Sequence, residues 1–206
     1  MRKALFLVSV LLLPFVSSAQ ESAEPMTSLK AVPFYKWEIG IDLLPLADKS
    51  KDAFGYIVKR NFQTENGRQA LRFKLLPRFV SGPGGSGADA KDSSIKLALG
   101  FERQKMYGHF SVLYGLEPYF SYRTARTKST TTGIVVTRQN DTSFGVAGFV
   151  GGRYYVGNHV SFTLESHLVY QFQDQNGSID NVGSYFARTH ILFAEPLHAV
   201  YVSYQF

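Results

Sequence analysis

Ser166 and His198 are the two residues whose types could perform nucleophilic chemistry together. Each lies in a stretch where polar and apolar residues alternate, and the alternation puts both side chains on the apolar face. If the two stretches pair as antiparallel strands, these residues come within about one residue pair of each other. A histidine that takes the serine proton would activate the hydroxyl for attack on an acyl group. That face offers no carboxylate to orient the histidine, so we predict no catalytic residue and keep hydrolysis as an alternative.

Two further patterns that often hold ligands lack an essential part. The five histidines are spread over the chain without the spacing of a metal site, so we predict no metal. The glycine-rich stretch Gly82 to Gly87 is followed neither by Gly-Lys-Ser/Thr nor by a helical pattern, both of which a phosphate-binding loop needs. We therefore predict no cofactor and interpret this stretch as an exposed loop. The absence of cysteine excludes disulfide bonds.

A cluster of basic residues lies in the polar stretch from Thr124 to Asp141. Arg126, Lys128 and Arg138 could donate charge-assisted hydrogen bonds to phosphate groups, which guanidinium and ammonium groups bind well. The stretch is therefore a candidate contact for a phosphorylated surface. The alternative is a solvated loop without a ligand.

The start of the chain has the composition of a signal peptide. Arg2 and Lys3 precede an apolar run from Ala4 to Val16, and small residues then allow cleavage after Ala19. Residues 1–19 are therefore predicted to direct export. Removing the two basic residues lowers the formal charge from +6 to +4, an excess too modest to indicate a nucleic-acid partner.

The mature chain divides into two parts by its periodicity. Residues 20–35 are polar and aperiodic, which predicts an N-terminal tail in the periplasm, whereas residues 36–206 alternate with the period of two that is typical of strands. No apolar run approaches the roughly 20 residues of a membrane-spanning helix. The predicted strands are Trp37 to Leu43, Phe54 to Asn61, Ala70 to Phe79, Ser94 to Glu102, Phe110 to Arg123, Thr142 to Tyr155, Val160 to Phe172 and His198 to Phe206.

Short and long connections alternate between these strands. Transmembrane barrels have tight turns on the periplasmic side and long external loops, so the pattern predicts an all-β, eight-stranded antiparallel up-and-down transmembrane β-barrel. Pro77 and Pro118 fall inside predicted strands, where we expect β-bulges. The short turns are around Asn66-Gly67, Tyr107-Gly108 and Gly157-Asn158; the long loops are Leu44 to Ala53, Val80 to Ser93, Thr124 to Asp141, and Gln173 to about Glu195. For the fourth loop, the weak alternation of Tyr185 to Phe193 leaves an outward extension of the last strand as the alternative.

The second face of the predicted strands is charged. Eight strands make a barrel barely wide enough for side chains, and a buried charge without a partner costs several kcal/mol. We therefore predict a polar network that plugs the lumen, with a narrow anion-preferring channel as the alternative. The predicted network consists of Glu38, Asp42, Lys59, Arg72, Lys74, Arg78, Lys96, Glu102, Glu117, Arg123, Arg153, Glu165 and His167.

The closing stretch, His198 to Phe206, alternates and ends on an aromatic residue. Together with the signal peptide, the eight strands, the alternating connections and the polar lumen, it resembles the outer-membrane protein A and X type of small bacterial barrel. The resemblance implies a monomer in the outer membrane of a Gram-negative cell envelope, with a structural or surface-binding role through long external loops.

The same resemblance implies partners. The barrel-insertion machinery would read Tyr204 and Phe206 as an assembly signal. Lipopolysaccharide would supply the phosphates for the basic loop, and the hydrolase alternative would act on membrane lipid. The resemblance names no external ligand.

Overall fold

The computed structural model describes residues 32–48, 53–65, 67–84, 88–129, 135–179 and 183–206. The predicted signal peptide and most of the predicted tail lie outside the described residues. The elements, in chain order, are β1 (Trp37–Asp42), α1 (Leu44–Ala47), β2 (Tyr56–Thr64), β3 (Gly67–Gly84), β4 (Ala88–Tyr107), β5 (Phe110–Ser129), β6 (Val135–Val156), β7 (Val160–Ile179) and β8 (Gly183–Gln205).

The eight strands form one closed sheet in which each strand pairs antiparallel with the next. β8 returns to β1, where Ile39 pairs with Tyr204, and Trp37 and Phe206 exchange two backbone hydrogen bonds of 3.1 and 3.0 Å. Along the length of β1 and β2, closure leaves no strand edge, which is what a sheet in lipid requires because no water is present there to satisfy unpaired backbone groups. This architecture confirms the predicted eight-stranded up-and-down barrel.

The strands turn apolar side chains outward and polar side chains inward. On β7, Leu164 and Leu168 are 55% and 56% exposed, whereas Glu165 and His167 are 1% and 4% exposed. A barrel with an apolar outer face and a polar interior is suited to a bilayer. No helix in the described part of the chain is long and apolar enough to cross a membrane.

Tight turns join the strands at one end of the barrel, which we call the turn end. Gly67, Gly108 and Gly157 lie there with φ values of 122°, 62° and 87°. Glycine adopts such positive φ angles without steric cost, which explains its presence in these connections. The turns fall where the sequence predicts them, although Asn66 lies outside the described residues.

The predicted long loops are for the most part paired strand. β3 and β4 stay in register as far as Gly84 and Ala88, and β7 and β8 as far as Ile179 and Gly183. β5 and β6 likewise pair well beyond their predicted ends, and the first connection contains α1. The predicted strand ends were wrong because they were placed where the alternation stops. Beyond the bilayer, water wets both faces of a strand, so alternation disappears while the backbone ladder continues.

The β-bulges predicted at Pro77 and Pro118 do not form. Pro77 pairs with Ile95 and Pro118 with Val146, without a register shift in either case. A proline forfeits a ladder hydrogen bond, but it adds no residue to its strand. The inward and outward alternation therefore runs through both prolines unchanged.

A register shift does occur near a third proline, on β8. Glu165 pairs with Ala199 and His167 with Glu195, so residues 196–198 lie opposite the single residue Ser166. The two extra residues interrupt the inward and outward alternation within the bulge, and because they are two in number the same alternation resumes beyond it. This bulge determines the orientation of His198.

Part of the predicted tail packs against the turn end. Val32 is buried, and its carbonyl oxygen accepts a hydrogen bond of 2.6 Å from the Arg68 guanidinium. The carbonyl oxygen of Tyr35 accepts one of 3.1 Å from the Asn61 amide. Residues 32–35 therefore belong to the folded barrel.

Candidate functional site

Arg72 occupies the centre of the barrel interior, with no exposed surface. Its Nη1 lies 2.9 Å from the Glu102 carboxylate, and its Nη2 lies 2.7 Å from Glu165. Its Nε lies 3.0 Å from Glu117, as an ion pair without hydrogen-bond alignment. One guanidinium therefore contacts three buried carboxylates on three different strands.

Lys59 and Arg153 extend this cluster toward β1. Lys59 Nζ lies 2.9 Å from Glu102 and 3.5 Å from Glu38. Arg153 places Nη1 2.9 Å from Glu38 and Nη2 3.6 Å from Glu102. Glu38 and Glu102 are therefore each shared between cations of β2 and β6, which are four strands apart in the ring of eight.

Lys74 completes the cluster, with Nζ 3.3 Å from Glu117 and 3.1 Å from Glu165. Every carboxylate of the cluster contacts at least two cations, so none of the four is left with a single partner. Each of β1 to β7 contributes at least one member. We call this the lumen network: Glu38, Lys59, Arg72, Lys74, Glu102, Glu117, Arg153 and Glu165.

Aromatic rings and small residues fit the lumen network to the barrel wall. The Arg72 guanidinium lies 4.0 Å from the centre of the Phe149 ring, and Lys74 Nζ lies 5.2 Å from that of Tyr201 on β8. A Cβ atom at Gly100 would lie 2.8 Å from Cγ of Arg72. Glycine on this inward face therefore leaves the space that the arginine stem occupies.

Five of the predicted members lie outside the lumen network, and Asp42 and Lys96 are two of them. Asp42 accepts backbone hydrogen bonds of 2.9 Å from Leu44 and from Val200, and so joins α1 to β8. Lys96 Nζ lies 3.9 Å from the centre of the Tyr119 ring, in a cation–π contact. The hydrogen bond from Leu44 to Asp42 is structural, because it satisfies the backbone amide at the start of α1.

Arg78 and Arg123 form a separate cluster toward the far end of the barrel. Asp92 lies 2.9 Å from Arg78 and 2.8 Å from Arg123, and Asp141 lies 3.8 Å from Arg123. Hydrogen bonds from Arg123, with the charge of Arg78, hold the pKa of Asp92 below its usual value. Sequence analysis missed both aspartates because they fall in or beside stretches predicted as loops.

The predicted member His167 borders the lumen network. Its Nε2 lies 3.2 Å from Glu165, and its ring stacks on that of His198 with 3.7 Å between centroids. His198 in turn contacts the carboxylate of Glu195. No three His, Cys, Asp or Glu side chains within the described ranges are placed to hold a metal ion.

Ser166 and His198 lie within one residue pair of each other, as predicted, but the prediction that both face outward is wrong. His198 stacks against a lumen residue, because the bulge at residues 196–198 turns its side chain inward. Ser166 remains on the outer face, and its hydroxyl donates to the carbonyl oxygen of Pro196. The hydrolase alternative therefore loses the contact between nucleophile and base on which it rested.

The basic residues of the predicted external loop lie on paired strands. Arg126 on β5 lies opposite Arg138 on β6 and opposite Lys91 on β4. All three side chains are exposed on the outward face, and we call them the basic row. The third predicted residue, Lys128, is not part of it, since it lies opposite Asp89.

The aromatic end of the chain lies at the turn end of the barrel. Tyr204 and Phe206 are 48% and 54% exposed, and their ring centroids are 6.4 Å apart. The Tyr204 ring also stacks on His159, with 5.4 Å between centroids. These side chains lie outside the barrel wall, while the backbone of Phe206 closes the sheet.

Comparisons with known proteins support the fold. No protein-family model matches the chain, and no curated protein matches its sequence. The crystal structure of a major outer membrane protein from Thermus thermophilus superposes with a TM-score of 0.52 at 11% identity, over 82% of this chain and 97% of that chain. The crystal structure of Neisserial surface protein A (NspA) gives a TM-score of 0.37 at 13% identity, over 83% and 97%. The first likeness confirms a barrel of the outer-membrane type.

Replacing the central guanidinium tests the energetic role of the lumen network. We expect Arg72→Met to lower the free energy of unfolding by about 3–5 kcal/mol, because it leaves buried carboxylates without compensation. Adding Glu165→Gln in the same chain should restore part of that loss. The measurement is urea unfolding of barrels refolded into lipid vesicles.

Arg188→Met is the matched control, because Arg188 forms a surface ion pair of 3.1 Å with Asp174. Exposed pairs of this kind contribute at most about 1 kcal/mol. Equal losses in the two variants would contradict the idea that the buried network stabilises the barrel.

Proposed function

We propose that this chain is an integral protein of the outer membrane with a structural and surface-binding role. The outward apolar face fits a bilayer, and the predicted signal peptide, residues 1–19, fits export to the periplasm. The turn end, with its tight connections and the remainder of the tail, would face the periplasm. The extended hairpins of β3 to β8 would then project from the cell surface.

The proposal includes a lumen that is closed to solutes. The lumen network takes members from β1 to β7, and Tyr201 on β8 lies against Lys74, so side chains from the whole circumference meet inside. Because the charges are paired and in contact, the described part of the lumen contains no row of unpaired arginines that would attract anions. A structural interior explains these contacts better than an anion-preferring channel does.

Recordings in planar bilayers test the closed lumen. We expect no stable conductance steps from the refolded wild-type barrel, because passage of an ion would require several buried ion pairs to separate. A wide porin reconstituted in the same way would confirm that insertion can be detected. Large, stable, anion-selective openings would favour the channel alternative instead.

The observation that carries the surface-binding role is the basic row, Lys91, Arg126 and Arg138. Like charges directly opposite each other on neighbouring strands repel, which destabilises the pairing. None of the three forms an ion pair with a carboxylate in the described part of the chain. A bound polyanion would convert this repulsion into attraction, since arginine and lysine bind phosphate by charge-assisted hydrogen bonds.

The position of the basic row fits the phosphates of lipopolysaccharide. Arg126 lies four residues beyond Tyr122, an outward aromatic residue, and so about 13 Å farther along the strand. Aromatic residues mark the edge of the apolar band in such barrels, so the row would lie at headgroup level. Beside it is a recess of about 370 Å³ whose amides, hydroxyls and ring suit a sugar. Its lining includes Arg138, Asn140, Asn176, Ser178, Ser184 and Phe186.

A double substitution tests this assignment. We expect Arg126→Ser with Arg138→Ser to weaken binding of purified lipopolysaccharide about tenfold or more, because each charge-assisted hydrogen bond contributes about 1.5–3 kcal/mol. The wild-type affinity should fall with salt, and it should also fall when the lipopolysaccharide is dephosphorylated.

Arg188→Ser is the control, since it removes an exposed arginine of β8 outside the basic row. Binding by surface plasmon resonance to barrels in nanodiscs would compare the variants. Equal affinity of the double variant and the wild type, or equal affinity for the dephosphorylated ligand, would exclude the basic row as the binding site.

We also propose that Tyr204 and Phe206 are read by the barrel-insertion machinery. Their rings lie on the outer surface at the turn end, where a periplasmic assembly factor could reach them before the sheet closes. The backbone of Phe206 already contributes two ladder hydrogen bonds to Trp37. The Phe206 side chain therefore contributes little to closing the sheet, because the backbone makes the hydrogen bonds.

Phe206→Ala separates the two roles, since it removes the ring and keeps the backbone bonds. We expect a sharp fall in surface yield in cells, but a small change in the unfolding free energy of the refolded barrel. The ring is 54% exposed, so only part of the roughly 1.5–3 kcal/mol from full burial of a Phe is lost. Normal insertion in cells would contradict the signal role, and Val202→Ala would control for loss of an outward side chain on the same strand.

A further inference from the structure

A groove of about 800 Å³ crosses the outer face of the barrel from β4 to β8. It exists because the outward residues on three neighbouring strands are small: Gly148 on β6, Ser166 on β7 and Ala194 on β8. Large outward side chains flank it, among them Leu116 and Leu168. The groove therefore interrupts the apolar outer surface at the depth of the bilayer, and it is open to lipid.

The groove offers an apolar surface without free polar groups at its β8 end. The Ser166 hydroxyl donates to the Pro196 carbonyl oxygen within the bulge. A Cβ atom at Gly148 would meet only Leu116, at 3.8 Å, and the Leu168 carbonyl oxygen, at 4.0 Å. Packing of the barrel therefore leaves room for a side chain at Gly148, and the space remains for a ligand.

The opposite end of the groove carries a positive charge. Arg103 lies on the outward face of β4, four residues before the strand ends at Tyr107, and so near the turn end. In the described part of the chain it forms no ion pair. Arg103 pairs with Tyr114, Tyr114 with Val150, and Val150 with Ser166, so one row of cross-strand neighbours joins the two ends. Three strand spacings separate them, about 14 Å.

We propose that this groove binds a glycerophospholipid of the periplasmic leaflet, with its phosphate on Arg103 and an acyl chain over Gly148 and Ser166. An outward arginine costs little near the membrane interface and is stabilised there by a phosphate. The lining beyond it is mainly apolar, with Ser166, His167 and Glu195 at the β8 end, and this surface suits a hydrocarbon chain. Lipopolysaccharide would place its phosphates at the other end of the barrel, beside the basic row, so this groove takes a different lipid.

Filling the groove tests the acyl-chain part. Gly148→Leu should lower the amount of phospholipid that stays bound through detergent purification at least tenfold, measured by native mass spectrometry. Val146→Leu is the matched control, since Val146 is an outward residue of the same strand, outside the groove. It should retain phospholipid like the wild type. A wild type that carries no phospholipid, or equal retention by both variants, would overturn the proposal.

Removing the cation tests the headgroup part. Arg103→Gln should reduce binding of fluorescent phosphatidylglycerol several-fold and abolish its preference over diacylglycerol, which lacks the phosphate. Lys105→Gln, two residues along the same face, should keep both. If the site instead retains lipopolysaccharide, or if cross-linking shows a second barrel seated on Gly148, the assignment to phospholipid is wrong. These readouts are independent of the basic row, so either site can fail without the other.

Discussion

The cost of burying charge inside a narrow barrel is the constraint on which the rest of this structure depends. Arg72 has no exposed surface, and a guanidinium in that position is tolerated only where carboxylates surround it. Glu102, Glu117 and Glu165 supply that environment from three different strands. Strand register is therefore tied to the ion pairs, because a slip of one residue would turn these side chains to the lipid.

The same constraint explains the small residues of the interior. Side chains as long as arginine and lysine can share a lumen of eight strands only if other inward positions are nearly empty. A Cβ atom at Gly115 would lie 1.9 Å from the Phe101 carbonyl oxygen, and one at Gly151 would lie 2.4 Å from that of Leu164. These glycines allow neighbouring strands of the wall to approach closely. The packing of the lumen network therefore depends on them.

The sequence predicted what lies inside the bilayer better than what lies beyond it. A strand between lipid and a polar lumen must alternate, so the positions of Arg72, Glu102 and Glu165 could be assigned from a period of two. The far parts of β3 to β8 have water on both sides, and no physical requirement for alternation marks them. Asp92, which binds Arg78 and Arg123, was missed for that reason. His198 faces inward because residues 196–198 lie opposite the single residue Ser166. The period of two in the sequence does not reveal such a bulge.

The separation of paired and exposed charge supports the proposal that the barrel binds its ligands on its outer surface. The lumen network has as many cations as carboxylates, so its formal charge sums to zero and it contributes little field outside the wall. The outward cations lie toward the two ends of the strands, with Arg103 near the turn end and Arg126 and Arg138 beyond the apolar band. Between these ends the outer face is apolar. A barrel with this distribution attracts anionic groups at both membrane surfaces and hydrocarbon between them, which is the chemistry of membrane lipids.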